Sequence, residues 1–193
     1  GPDSGQQEMY LDLIEEKGPF LKQYLEEGGT ALFICGSYQL LGDYYKSADG
    51  SLLQGLSFFK MYTEHFGHRK PRCVGNIVCQ LSESITNDPV FENLKPFSDK
   101  LIGFENHGGQ TFLEESAKPL AKVLSGSGNN TKDKTEGIHY LNALGTYLHG
   151  PLLSKNPHLA DYLIAKSLGL EKLSNLDDNI IRQAHTALLK RFI

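Results

Sequence analysis

The sequence is short of cysteine, has no excess of positive charge and contains no long apolar run. Three cysteines, Cys35, Cys73 and Cys79, stand among 193 residues. Their number is odd and their spacing fits no metal-ligand pattern. That argues against a disulfide framework and a zinc site, and suits a reducing compartment, the cytoplasm. The formal net charge of −4 gives no reason to expect a nucleic-acid partner. No apolar run approaches the ~18 residues that a membrane span needs. The opening residues do not read as a secretory leader. There is no internal repeat and no low-complexity tract. No phosphate loop of the form GxxxxGK[ST] occurs either: "GSGNNTKDKTEG" is rich in glycine but lacks that spacing, and reads as a polar turn.

What is present is ordinary globular composition, 39% hydrophobic and 22% charged, in a length that suits one domain. Apolar spacing predicts helices over 5–17 and 19–27, separated by Gly18-Pro19 and stopped by Gly28-Gly29. "TALFIC" at 30–35 is a short strand, apolar on both faces as a central parallel strand would be. A helix is predicted directly after it, over 36–45. From 48 to 148 the period shortens into strands joined by turns such as Asp49-Gly50 and Asn106-His107-Gly108-Gly109. "NPHLADYLIAKSLG" at 156–169 reads as a helix with Asn156 as cap and Pro157 first. A last amphipathic helix is predicted over 177–192. It either docks a partner or packs on its own domain. The alternation argues for a three-layer α/β domain. We divide the chain into a domain over 1–170 and a C-terminal linker and helix over 171–193.

One local pattern carries chemistry. A strand, a sharp turn and a helix, with a nucleophile at the turn, form a nucleophile elbow. Cys35 occupies that turn. The helix start and its free N–H groups would favour thiolate over thiol. The N–H of Gly36 is placed to hold a developing oxyanion. The plainer reading of Cys35 is a buried structural cysteine, which is how Cys73 and Cys79 read within "RCVGNIVCQL". A thiol nucleophile needs a base. His149, at the end of the strand-like run "LGTYLHG", lies on the same predicted sheet edge. His107 is either a structural turn residue or a supporting group. His65 and His68 read as solvated, His139 as a strand residue, and His158 and His185 as helix residues without acid–base context.

Together "ICGSYQLLG" and "GTYLHGPLL" resemble the class I glutamine amidotransferases of the cobyric acid synthase-like branch. "IGFENHGGQT" and "TEGIHYLNALGTYLHGPLLSKNPHLADYL" sharpen this to the GatD-like glutaminase subunits of bacterial lipid II isoglutaminyl synthase. The resemblance implies a flavodoxin-like three-layer fold with a mixed, mainly parallel central sheet, its first strand absent from the chain given. It implies Cys35 as nucleophile, His149 as general base and acid, and Arg72 as a substrate residue. A guanidinium there would grip the α-carboxylate of glutamine. Gly1, at the end of what resembles a glycine loop, would supply the second oxyanion N–H beside Gly36. No metal is implied. ATP and magnesium are expected on a separate Mur ligase-like (MurT-like) synthetase subunit, which would amidate lipid II with the ammonia released from free glutamine.

Two departures stand out. Class I relatives commonly carry glycine two residues before and two after the nucleophile, where this chain has Phe33 and Ser37. Many carry glutamate two residues after the histidine, where this chain has Pro151. The third acid must come from a partner or from a distant residue, for which Glu105 is the candidate. Rival readings are a cobyric acid-type glutaminase, a cysteine peptidase of related fold, and a non-catalytic binding module on the same scaffold.

Overall fold

The computed structural model describes residues 16–67, 71–174 and 176–193. The helix expected over 5–17 falls mostly outside them, as does Gly1. Helix α1 (Gly18–Glu26) opens the described chain, with Pro19 in its first turn. Strand β1 (Ala31–Ile34) follows, then helix α2 (Gly36–Leu40). The sequence suggested helix as far as residue 45, but the chain leaves it at Gly42. A Cβ on Gly42 would lie 2.6 Å from the Met61 carbonyl oxygen, so only glycine lets the backbone turn there. Tyr44 and Tyr45 are good strand formers and begin β2 (Tyr44–Lys46).

Strands β3 (Leu52–Gln54), β4 (Met61–His65), β5 (Cys73–Leu81), β6 (Lys100–His107), β7 (Gly109–Leu113), β8 (Ala121–Ser125), β9 (Thr135–Glu136), β10 (Ile138–Tyr140) and β11 (Ala143–Thr146) follow. Short helices α3 (Glu83–Thr86) and α4 (Pro89–Asn93) interrupt them, and α5 (Leu152–Lys155), α6 (Pro157–Leu168) and α7 (Asn179–Phe192) close the chain. The strands form three sheets: β1-β11-β10, β3-β2-β4-β7 and β6-β5-β8-β9. Pairing is mixed, as expected, but parallel pairing is confined to β1–β11 and β2–β4 among the described residues. The expectation of a mainly parallel sheet is corrected on that point.

The β1-β11-β10 sheet separates two cores. Strand side chains alternate between faces. Ala31 and Phe33 therefore join a cluster with Tyr38, Phe59 and Ile138, while Leu32 and Leu144 join another with Ile77, Leu101, Leu159 and Tyr162. Both faces of β1 are partly covered, which suits a run apolar throughout. Phe33 fits its layer by meeting Phe59 edge-on at 6.1 Å. Cys79 is fully buried and Cys73 nearly so, both as packing residues.

The turn read at 106–109 is a corner instead. His107 still pairs with Cys73 in one sheet, and Gly109 already pairs with His65 in another, leaving Gly108 alone between strands. A Cβ on Gly108 would sit 2.4 Å from the His65 ring. Asn156 is the N-cap residue of α6, as expected, but its side chain makes no capping bond. Its side chain pairs with the β6 backbone instead, accepting from Ile102 N–H and donating to Ile102 O, each at 2.8 Å.

Helix α7 packs on the rest of the chain around His185, its buried residue. His185 Nδ1 lies 2.7 Å from the Lys155 carbonyl oxygen, and Arg182 stacks over Phe97. His158 and His185 are both buried and meet edge-on at 5.3 Å. The His158 ring nitrogens have no hydrogen-bond partner. Burial, then repulsion from His185, pushes the His158 pKa down to about 4. The folded state therefore holds His158 neutral, while the unfolded chain protonates it below its ordinary value of about 6.5. Its contribution to stability is complete above that value. It falls by roughly 3 kcal/mol as the pH drops to about 4. Denaturant titrations at neutral and mildly acidic pH check this, and His158→Phe is expected to flatten the acid slope. An unchanged slope in that variant would assign the acid loss elsewhere.

Candidate active site

Cys35 is the corner between β1 and α2. Its backbone has φ 56° and ψ −112°, a region that residues with a Cβ rarely occupy, at a cost of order 1–3 kcal/mol. The surroundings hold it there. Cys35 N–H donates to Thr146 O at 2.9 Å, extending the β1–β11 ladder by one residue, and Gln39 N–H donates to Cys35 O at 3.0 Å in the first helical turn. Ser37 brackets the corner from the other side. Its Oγ accepts from Ile34 N–H at 3.0 Å and donates to Ile34 O at 2.9 Å. Serine in the position that relatives give to glycine thus fits, and adds two bonds that glycine lacks.

The sequence suggested a sulfur held as thiolate, and the structure corrects this. Burial of the half-exposed Cys35 raises its thiol pKa, and the Gly36 N–H and the Arg72 charge only partly offset it. A five-residue helix such as α2 brings little dipole to bear. At rest the group is a thiol, and ionising it requires a base. The Gly36 N–H is directed at the Cys35 sulfur. Gly1 lies outside the described residues.

His149 sits just past the end of β11, the parallel neighbour of β1. Both candidates therefore emerge at the same end of this strand pair, and the Cys35–Thr146 bond ties the Cys35 corner to the end of β11. The His149 backbone is clamped to β6: its N–H donates to Phe104 O at 2.8 Å, and Phe104 N–H donates to His149 O at 3.2 Å. The ring Nε2 is buried without a hydrogen-bond partner, so sulfur and imidazole are not bonded in this state. Burial, then the His107 and Arg72 charges, lowers the His149 pKa and keeps the ring neutral. That is the protonation state a base needs. Pro151 heads helix α5 and offers no acid.

Glu105 does not fill the gap. It is buried, and both oxygens are engaged by the turn after β8, Oε1 by Ser127 N–H at 2.8 Å and Oε2 by Gly128 N–H at 3.0 Å. Burial pulls its pKa up, but His107 and these N–H groups outweigh that and leave it depressed. The polar turn at 126–137 is thus pinned inward, with Asn129 and Asn130 fully buried. His107 faces the same interior. It stacks on Tyr147 at 3.8 Å, and its Nδ1 lies 2.8 Å from Gly109 O. Tyr147 in turn accepts from Gln39 Nε2 at 2.9 Å, so helix α2 is braced against the segment that carries His149. Glu136, also buried, accepts from Thr146 Oγ1 and Tyr147 N–H and fixes the end of β11. The Gln39–Tyr147 bond and the hold of Ser127 and Gly128 on Glu105 were not legible, because each joins residues far apart in the chain.

Arg72 stands just before β5, and its charge acts on both the Cys35 sulfur and the His149 ring. Of the remaining histidines, His65 ends β4, His139 lies in β10, His158 in α6 and His185 in α7; His68 lies outside the described residues. Among the described residues, no group of three His, Cys, Asp or Glu side chains is placed to hold a metal. No helix among them is long and apolar enough to cross a membrane.

Residues 4–157 match the family described as the CobB/CobQ-like glutamine amidotransferase domain. The lipid II isoglutaminyl synthase (glutamine-hydrolyzing) subunit GatD of Staphylococcus aureus is 41% identical over 167 residues, covering 86% of this chain and 60% of that protein. The subunit of the same name from Streptococcus pneumoniae is 37% identical over 168 residues, covering 87% and 59%. A probable cobyric acid synthase of Methanothermobacter thermautotrophicus is 30% identical, covering 76% of this chain and 28% of that protein. The chain thus spans about three fifths of the GatD relatives. A crystal structure of a glutamine amidotransferase shares the fold at TM-score 0.52 and 16% identity, over 81% of this chain and 71% of its own. From its match over residues 4–157, the chain belongs to the CobB/CobQ-like glutamine amidotransferase family.

Proposed function

We propose that the chain is the glutaminase part of a lipid II isoglutaminyl synthase. The observation that carries this reading is the strained Cys35 corner, tied to Thr146 at the end of the strand that leads into His149. Glutamine binds with its α-carboxylate on Arg72. His149 takes the Cys35 proton, and the sulfur attacks the side-chain amide carbon. The Gly36 N–H, with Gly1 as the expected second donor, holds the oxyanion. His149 returns the proton to the leaving nitrogen, so ammonia departs and a glutamyl thioester remains. Water, deprotonated by the same imidazole, hydrolyses the thioester to glutamate and restores the thiol.

Ammonia is useful only if an activated acyl group awaits it. The GatD relatives are named as subunits of a synthase, which supports a second subunit here. We assign to that subunit a Mur ligase-like (MurT-like) fold, ATP and magnesium, and amidation of the D-glutamate α-carboxyl of lipid II to D-isoglutamine, in the cytoplasm. The third acid also belongs there. His149 has no carboxylate partner among the described residues, and Glu105 is already engaged.

Glutaminase assays of the chain alone and with a Mur ligase-like partner test this. The partner is expected to raise kcat by roughly 10-fold or more, as restoring the acid that orients a catalytic imidazole would. Ammonia should then appear in lipid II. Full activity in isolation would contradict the partner-supplied acid. Amidation of a corrinoid carboxylate instead of lipid II would contradict the acceptor.

A further inference from the structure

The Arg72 guanidinium is held along one edge only. Its Nε–H donates to Asn106 Oδ1 at 3.1 Å, and its Nη2 donates to the Asn106 carbonyl oxygen at 3.0 Å. A guanidinium carries its N–H groups on a rigid planar fork. One residue thus occupies the Nε side. The Nη1 side has no hydrogen-bond partner among the described residues, and it is the side that can take a carboxylate end-on.

Register puts Asn106 there. Asn106 pairs with Val74 across β5 and β6, and Arg72 lies two residues before Val74. Alternation along β6 sends Glu105 and His107 inward and leaves Asn106 at the surface. An exposed arginine would otherwise have many rotamers to give up when a ligand binds. Two acceptors from one residue remove most of that loss in advance.

We propose that Asn106 is a positioning residue, which fixes the Arg72 fork so that its free edge meets the α-carboxylate of glutamine and sets the preference for substrates carrying that group. The proposal rests on Arg72 being the carboxylate anchor. It adds that the anchor works only as well as Asn106 aims it.

The test is steady-state glutaminase kinetics of N106A, R72A and the double variant, in the assembled enzyme. Two substrates are used, glutamine and its α-amide, which lacks the carboxylate. N106A is expected to raise the KM for glutamine roughly 10-fold, as loss of one charge-assisted bond would, with kcat nearly unchanged. Turnover of the α-amide should not change, so the preference falls by the same factor. In the R72A background, N106A should add no further loss, because the two act as one unit. An equal loss on both substrates, a fall in kcat alone, an additive loss in the double variant, or no effect of N106A would each overturn the role of Asn106. An unchanged glutamine KM in R72A would instead bring down the anchor reading itself.

Discussion

Cys35→Ala is expected to stop ammonia release from glutamine, by roughly 10⁴-fold or more, because no other group can form the thioester. Cys73 and Cys79 cannot substitute. Both lie buried in β5, with thiols pushed above their ordinary pKa by burial, and neither sits at a corner. The same substitution should leave the fold intact, since alanine keeps the Cβ and the surrounding bonds are to backbone atoms. Ammonia assays with a thermal melt separate the two effects. Retained activity in a folded Cys35→Ala variant would dismiss Cys35 as the nucleophile.

His149→Gln is expected to lower kcat/KM by roughly 10³-fold, within the range of a lost general base. The effect should be large here because the sulfur is not ionised beforehand. Burial keeps Cys35 a thiol, so each turnover begins with proton removal. Labelling of Cys35 by a diazoketone analogue of glutamine should slow in the variant as well. The wild-type pH profile follows from the same geometry. His149 acts as a base only while neutral, and burial with the neighbouring His107 and Arg72 charges disfavours its protonated form. In the chain without its partner, activity should therefore persist as the pH falls to the ordinary imidazole value and decline only below it. An acid limb at or above that value would require a carboxylate on His149 strong enough to outweigh both charges.

The parts legible in the sequence are those fixed by local pattern. β1 was readable because partial cover on both faces suits an unbroken apolar run, and the Cys35 corner because a strand and a helix meet with no room for a loop. The end of α2 was not readable, since Gly42 turns the chain for the sake of Met61, nineteen residues away. Gly108 looked like part of a four-residue turn. It is a single-residue corner between two sheets, which only the separate pairings of His107 and Gly109 reveal. The same holds for the site. Cys35, His149 and Arg72 carried recognisable motifs, whereas Asn106 is a surface polar residue whose importance depends on the β5–β6 register. Glu105 looked free to serve His149, and the turn at Ser127-Gly128 claims it.

The central claim is that the chemistry passes through a glutamyl thioester on Cys35. Rapid acid quench of the assembled enzyme during glutamine turnover, followed by mass spectrometry of its peptides, measures that species directly. The account predicts one γ-glutamyl adduct, on the peptide containing Cys35, absent from Cys35→Ala and from the peptide containing Cys73 and Cys79. Ammonia release with no adduct on Cys35, or with the adduct on another residue, would contradict it.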